Sequence, residues 1–378
     1  MKVALVHEWL TTLGGSERVV MALHRMFPDA PVYVTVHDPE QLPAEYRALD
    51  VRPSFIQRLP GAKKRHQAFL PLMPTAAECH DLRGFDLVIA SHHAVAKGVI
   101  TDAGCLQLAY VHTPMRYAWD LTHEYQATLS PWQRMLAAPL LSYLRAWDVA
   151  SSLRVDHYMA NSRVVAERIQ KHYRREATVF HPPIQVADFA LGRSEDHYLV
   201  VSRLVPYKRV DLAIEAANRT GAPLRIVGDG PLYRELKAMA KPNVEFLGSV
   251  PDAEVRRQYS QCRAFLFPGF EDFGLTPLEA MASGKPVIAY GRGGALETVV
   301  DGVTGVFFGE QTADGLIAGM RRFEQLDWSA EAIRRHASTY DEACFAEHVG
   351  GFVDRVYGEF KRTGRAGIDR PVEAAPHV

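Results

Sequence analysis

Short apolar runs, unbroken by polar residues, recur along this chain with helix-length amphipathic stretches between them. Val3-Ala4-Leu5-Val6, Val32-Tyr33-Val34-Thr35-Val36, Leu87-Val88-Ile89-Ala90 and Leu108-Ala109-Tyr110-Val111 lie in the first half, and Tyr158-Met159-Ala160-Asn161 begins its last unit. A strand with one wet face alternates apolar and polar positions, so continuous runs predict parallel strands covered on both faces. From Glu17 to about Met26 the pattern turns helical, behind Gly14-Gly15. After His181-Pro182-Pro183 it starts afresh. Tyr198-Leu199-Val200-Val201, Leu224-Arg225-Ile226-Val227, Val244-Glu245-Phe246-Leu247, Ala264-Phe265-Leu266-Phe267 and Pro286-Val287-Ile288-Ala289 read as strands, with Val306-Phe307-Phe308 a candidate sixth. Strand and helix in turn predict an α/β fold of two doubly wound parallel sheets. The expected boundaries are 1–182 and 183–340, then a helix over 341–362. A Gly/Arg/Pro/Ala-rich tail over 363–378 has a composition that favours disorder. Two such sheets joined by a proline hinge are expected to leave a cleft where strand ends face each other.

Composition narrows the function classes. A chain of 378 residues and 42.2 kDa is too long for one ordinary core and suits two domains. Its 47% hydrophobic content predicts a folded globular protein, and a net charge of -1 gives no global reason to expect nucleic acid as a partner. Cys79, Cys105, Cys262 and Cys344 form no CxxC pair and read as reduced thiols of a cytoplasmic protein. Val3 to Val6 is too short for a leader core, and the apolar stretch from Met135 to Leu144 falls short of the ~18 residues of a spanning helix. The expectation is a chain that does not cross a membrane.

The candidate chemistry concentrates at Glu271-Asp272-Phe273-Gly274-Leu275-Thr276-Pro277-Leu278-Glu279, just after the strand ending at Phe267. Thr276-Pro277 opens a helix that Gly284 closes. Glu271 is then expected on the loop and Glu279 on the helix's first turn. The amides of Phe273, Gly274, Leu275 and Thr276 between them would form an anion site. Carboxylates for hydroxyls and amides for phosphate describe a nucleotide-sugar site. As helical neighbours the two acids would stand about 12 Å apart. That is too far to flank one bond, as the acids of retaining glycosidases do at about 5 Å. Ser202-Arg203-Leu204 and Pro206-Tyr207-Lys208-Arg209 follow the strand Tyr198 to Val201, placing Arg203 and Lys208 at a carboxyl edge where open parallel sheets bind ligands. No Asp-x-Asp element or His/Cys cluster stands out as a metal site, so fixed cations are expected to replace a metal, and no cofactor is expected. Gly228-Asp229-Gly230-Pro231 is a tight turn at the same edge, and Gly291-Arg292-Gly293-Gly294 has the wrong spacing for a dinucleotide fingerprint.

The E-x7-E run after such a strand resembles the signature of the retaining GT-B glycosyltransferases of family 4. The likeness extends from Gly14-Gly15-Ser16-Glu17 to Asp301-Gly302-Val303-Thr304-Gly305. Within that family, the run His112-Thr113-Pro114-Met115-Arg116-Tyr117-Ala118-Trp119-Asp120 resembles mannosyltransferase-like members of bacterial polysaccharide pathways. The resemblance implies a GT-B fold of two Rossmann-like domains, with the last helix crossing back to the first. It assigns the donor diphosphate to Arg203 and Lys208, ribose hydroxyls to Glu279 and hydroxyls of the transferred sugar to Glu271. Backbone at Phe246 and Gly248 would meet the base, and His112 the donor sugar near the reacting centre. Gly14-Gly15 could let the first helix approach the donor, and Arg116, Tyr117 and Asp120 could shape the acceptor side. The implied donor is a nucleotide sugar, GDP-mannose favoured, and the acceptor lipid-linked or an oligosaccharide. UDP-sugar use, a non-hydrolysing epimerase on the same architecture and a silent nucleotide-sugar binder remain alternatives; turnover without acceptor would reveal the epimerase. Lys63-Lys64-Arg65-His66 among Phe55, Ile56, Leu59, Phe69, Leu70, Leu72 and Met73 suits peripheral contact with the inner membrane. A second stretch, Trp132, Leu136, Leu140, Leu141, Tyr143, Leu144 and Trp147, has the same character.

Overall fold

The computed structural model describes residues 1–127 and 129–364. The chain divides into two compact units, Met1–His181 with the segment from Phe345 onward, and Pro182–Cys344.

The first unit holds β1 (Val3–Val6), β2 (Trp9–Leu10), β3 (Val32–Val34), β4 (Val36–His37), β5 (Val51–Pro53), β6 (Leu87–His92), β7 (Leu106–Val111), β8 (His157–Ala160) and β9 (Thr178–Val179). Seven of these form a parallel sheet ordered β5-β3-β1-β6-β7-β8-β9, and β2 pairs with β4 beside it. Successive residues serve opposite cores, as the pleat requires: Val3 and Leu5 enter one apolar cluster, Ala4 and Val6 the other. The run Val32 to Val36, expected as one strand, is two. At Thr35 the amide and hydroxyl both donate to the Glu8 carbonyl, which turns the chain from β1's sheet toward β2. The helix Glu342–Thr363 presents Phe345, Val349, Phe352, Val353, Val356 and Phe360 to the first unit's core, a helical spacing that makes one apolar face. Thr363, expected to begin the tail, closes this helix; residues 365–378 lie outside the described residues.

The second unit contains β10 (Tyr198–Val201), β11 (Leu224–Val227), β12 (Val244–Gly248), β13 (Ala264–Phe267), β14 (Val287–Tyr290) and β15 (Gly305–Phe308). They form one parallel sheet ordered β12-β11-β10-β13-β14-β15. Strand order reverses between β10 and β13 here and between β1 and β6 in the first unit. At such a reversal the flanking connections leave on opposite faces and open a crevice beyond the carboxyl ends. Each unit therefore has one preferred place for a ligand.

Candidate active site

In the second unit the reversal lies between β10, whose end leads to Arg203 and Lys208, and β13, whose end leads to Glu271. The turn Pro206–Lys208 brings Lys208 Nζ to 2.5 Å from Glu271 Oε2, with both side chains less than one-fifth exposed. Arg203 is exposed and has no ion-pair partner among the described residues. Beyond Glu271, Gly274 at φ 87° starts the helix Leu275–Ala282; a Cβ there would stand 2.6 Å from the Phe267 ring. Pro277 falls in the first turn, where its missing N–H costs no helical bond. The amides of Leu275 and Thr276 have no intrahelical acceptor, so this end carries partial positive charge beside the Lys208–Glu271 pair.

Glu279 is not on the first turn. The helix begins at Leu275, so Glu279 falls one turn deeper, where it is buried and its Oε2 accepts from the Tyr259 hydroxyl at 2.9 Å. Tyr259 was not visible as a site residue, because nothing in its own neighbourhood signals a carboxylate 20 positions away. Gly291-Arg292-Gly293-Gly294, set aside on spacing, braces the site from the end of β14. Gly294 N donates to Glu271 O at 2.9 Å, and a Cβ on Gly294 would meet Phe273 Cα at 2.2 Å. Gly228, at φ 129°, lies so close to β10's exit that a Cβ would stand 1.9 Å from Ser202 O. Its amide donates to Gly248 O at 2.8 Å, tying the β11 and β12 ends together. Phe246 points its ring into the core against Tyr233, centroids 5.5 Å apart, which leaves only its backbone for a ligand.

The remaining candidates belong to the first unit. Gly14 caps and Gly15 begins the helix Gly15–Met26. His112 follows β7; its carbonyl accepts from Asn161 Nδ2 at 3.0 Å and its Nε2 lies 2.9 Å from Ser91 Oγ. Burial, reinforced by the fields of His93 and His7, pushes His112 well below the ordinary histidine range. Asp120 is engaged by Arg168 at 2.8 Å and His172 at 3.3 Å. Arg116 carries the carbonyl that accepts from Leu121 N at 2.9 Å. The Tyr117 hydroxyl is buried without a hydrogen-bond partner among the described residues, and burial raises it well above its usual range.

One group at this edge escaped the sequence reading. Glu8, fully buried just beyond β1, accepts from the amides of His93, Ala94, Val95 and Ala96 at 2.7–3.1 Å. Burial opposes its ionisation, but the His92 hydrogen bond, the charges of His93 and His92 and the Val95 amide outweigh it and hold the carboxyl well below the usual range. Glu8 thus fixes the turn after β6.

Two family models match successive parts of the chain: Glycosyltransferase Family 4 over residues 13–188 and Glycosyl transferases group 1 over residues 185–339. The O-antigen chain mannosyltransferase C of Escherichia coli is 30% identical over 148 residues, 37% of this chain and 38% of that one. The GDP-mannose-dependent alpha-(1-6)-phosphatidylinositol monomannoside mannosyltransferase of Mycolicibacterium smegmatis is 37% identical over 123 residues, 28% of this chain and 32% of that one. The matched segments thus span less than half the length of these curated relatives. The structure of Anabaena HepE in complex with UDP and glucose superposes with a TM-score of 0.70 at 18% identity, covering 94% of this chain and 99% of that one. That likeness shows the GT-B fold of two doubly wound parallel-sheet units. By the two matched models, the chain belongs to the family 4 glycosyltransferases.

Proposed function

We propose that this protein is a retaining hexosyltransferase that moves mannose from GDP-mannose to a lipid-linked or oligosaccharide acceptor in bacterial surface-glycan assembly, without a metal ion. The observation that carries this reading is the meeting of Lys208, Glu271 and the amino end of Leu275–Ala282 at one sheet reversal. In this reading Arg203 and Lys208 take the diphosphate, Glu279 takes ribose hydroxyls and Glu271 takes hydroxyls of the sugar. Each charge-assisted bond of this kind contributes about 1.5–3 kcal/mol. No carboxylate serves as nucleophile. The acceptor hydroxyl attacks from the side the diphosphate leaves, a phosphate oxygen takes its proton, and the chain positions reactants and stabilises charge.

The mannosyltransferase relatives favour GDP-mannose, whereas HepE, solved with UDP and with UDP-glucose, supports a UDP-sugar as the second reading. Incubating the full chain with GDP-mannose or UDP-glucose, an acceptor-bearing membrane extract and EDTA separates them. The expected product carries mannose in the donor's anomeric configuration. Transfer from UDP-glucose alone would sink the mannose assignment, and an inverted product the retaining one.

Contact with an anionic lipid surface belongs to the same proposal. In the helix Pro131–Ser152, Leu141 and Leu144 enter the core while Trp132, Met135 and Leu136 are each more than 60% exposed. Of the basic stretch, Ile56 and Met73 are buried and Lys63 pairs with Asp38 at 3.7 Å, leaving Phe55 and Leu72 exposed near Lys64 and Arg65. Among the described residues no helix is long and apolar enough to cross a membrane. The chain is expected to co-sediment with anionic vesicles at low salt and to lose this on Trp132→Ser with Leu136→Ser; unaltered sedimentation of that variant would move the contact elsewhere.

A further inference from the structure

Behind His112, at the β1–β6 reversal, runs a hydrogen-bonded line that the proposed chemistry leaves unused. Glu17 Oε1 lies 3.4 Å from His7 Nε2, His7 Nδ1 lies 3.1 Å from Ser91 Oγ, and Ser91 Oγ lies 2.9 Å from His112 Nε2. Glu17, His7 and Ser91 are all buried. Gly14 makes room for the line's far end: a Cβ there would stand 2.8 Å from Glu17 Oε2, and Ser16 Oγ donates to that same oxygen at 3.0 Å.

Proton counting gives the line a direction. His7 Nδ1 also lies 3.1 Å from the Ser91 carbonyl oxygen, which can only accept. Nδ1 of His7 therefore donates, and Nε2, which faces the acceptor-only Glu17 carboxylate, donates on the other side of the ring. Ser91 Oγ receives on one lone pair and has its own hydrogen to give, and in the arrangement proposed here it gives it to His112 Nε2. That nitrogen is then the bare one, and the proton of a neutral His112 ring sits on Nδ1. Among the described residues no group hydrogen-bonds that Nδ1. Burial disfavours a second proton on the ring, the charges of His93, with its centroid 6.3 Å away, His7 and His92 add to that, and the charge of Glu17 works against it.

We propose that Ser91, His7 and Glu17 are positioning residues that lock His112 in its Nδ1–H form, so that it offers the transferred sugar a hydrogen-bond donor and no acceptor. The sugar contact rests on the function proposed above; the lock itself does not. A sugar hydroxyl oxygen satisfies such a group, while a donor sugar bearing an ammonium at that position meets a second donor and is disfavoured.

Long-range proton–nitrogen spectra of the full chain, labelled at histidine nitrogen, read the tautomer directly. The His112 signals are identified by their loss in His112→Gln. Between pH 6 and 8 the wild type is expected to show a neutral ring protonated at Nδ1. Ser91→Ala shifts it toward the Nε2–H form that water favours, and Ser91→Thr restores Nδ1–H. Transfer by Ser91→Ala falls roughly tenfold to hundredfold, as a misplaced contact does, and Ser91→Thr recovers most of it. An Nε2–H ring in the wild type, or an Nδ1–H ring unmoved in Ser91→Ala, overturns the lock. A lock lost with no change in rate overturns the sugar contact instead. Full transfer by His112→Gln overturns the sugar contact as well, whereas a wild type that transfers no sugar points to the underlying functional reading as the error.

Discussion

Lys208→Ala is expected to lower kcat by about 10²–10³ while the chain melts close to the wild-type temperature. The rate loss follows from where the charge sits. Lys208 Nζ is held 2.5 Å from Glu271 Oε2, on the turn that leaves β10 at the sheet reversal. A leaving diphosphate gains negative charge as the glycosidic bond breaks, and a cation already in place needs no reorganisation to meet it. Removing one such preorganised donor typically costs 10²–10³ in rate. The small stability effect follows from partial exposure, since ion pairs in contact with water contribute about 0–1 kcal/mol. Lys208→Arg keeps the charge but changes its shape, and is expected to retain more activity than alanine. Steady-state kinetics with the preferred donor checks this. A Lys208→Ala enzyme within threefold of wild type would remove Lys208 from the chemistry, and loss of folding would make it a structural residue.

The second large effect is on stability. Lys97 and Asp148 are both fully buried, with Nζ 2.8 Å from Asp148 Oδ1, 2.7 Å from the Asp148 carbonyl and 2.8 Å from Ser151 Oγ. The ammonium also lies over the Tyr173 ring at 4.7 Å and the Trp147 ring at 5.6 Å. Asp148 Oδ2 accepts from Trp119 Nε1 at 2.8 Å and from the Tyr173 hydroxyl at 2.9 Å. Burial lowers the Lys97 ammonium's affinity for its proton, and Asp148 opposes that shift. Removing one partner leaves the other charge buried and unpaired, which costs about 3–5 kcal/mol. Lys97→Met is therefore expected to lose that much in urea unfolding. Lys97→Met with Asp148→Leu recovers part of it, because no charge is then stranded. A cost below about 1 kcal/mol for Lys97→Met would show that water reaches the pair. The pair seats the helix Pro131–Ser152 on the turn after β6, so its loss also frees the exposed apolar face proposed to meet lipid.

Most strands were legible because a parallel sheet covered on both faces demands continuous apolar runs, and that demand is local. The edge strands of the first unit were not. β5 spans Val51–Pro53 and β9 spans Thr178–Val179, each too short to make a pattern, and Pro53 is tolerated because an edge needs fewer ladder bonds. The break at Thr35 was hidden because its cause is the Glu8 carbonyl, 27 residues earlier. The same holds at the site. Residue types announced Lys208 and Glu271, but their mutual pairing depends on two strands becoming neighbours across the reversal. The packing role of Gly294 was hidden because spacing speaks only to a dinucleotide fingerprint, whereas its constraint is close contact with Phe273. His7, Ser91 and Glu17 carry no joint signal in sequence, since 84 positions separate His7 from Ser91.

The central claim is that fixed charge at the β10–β13 reversal holds a nucleoside diphosphate without a divalent ion. Titration calorimetry of the full chain with GDP and with UDP, in EDTA, tests it most directly. Saturable binding of one of them, weakened at least tenfold in Lys208→Ala, is the predicted result. Binding that appears only after magnesium or manganese is restored, and is indifferent to Lys208, would contradict it.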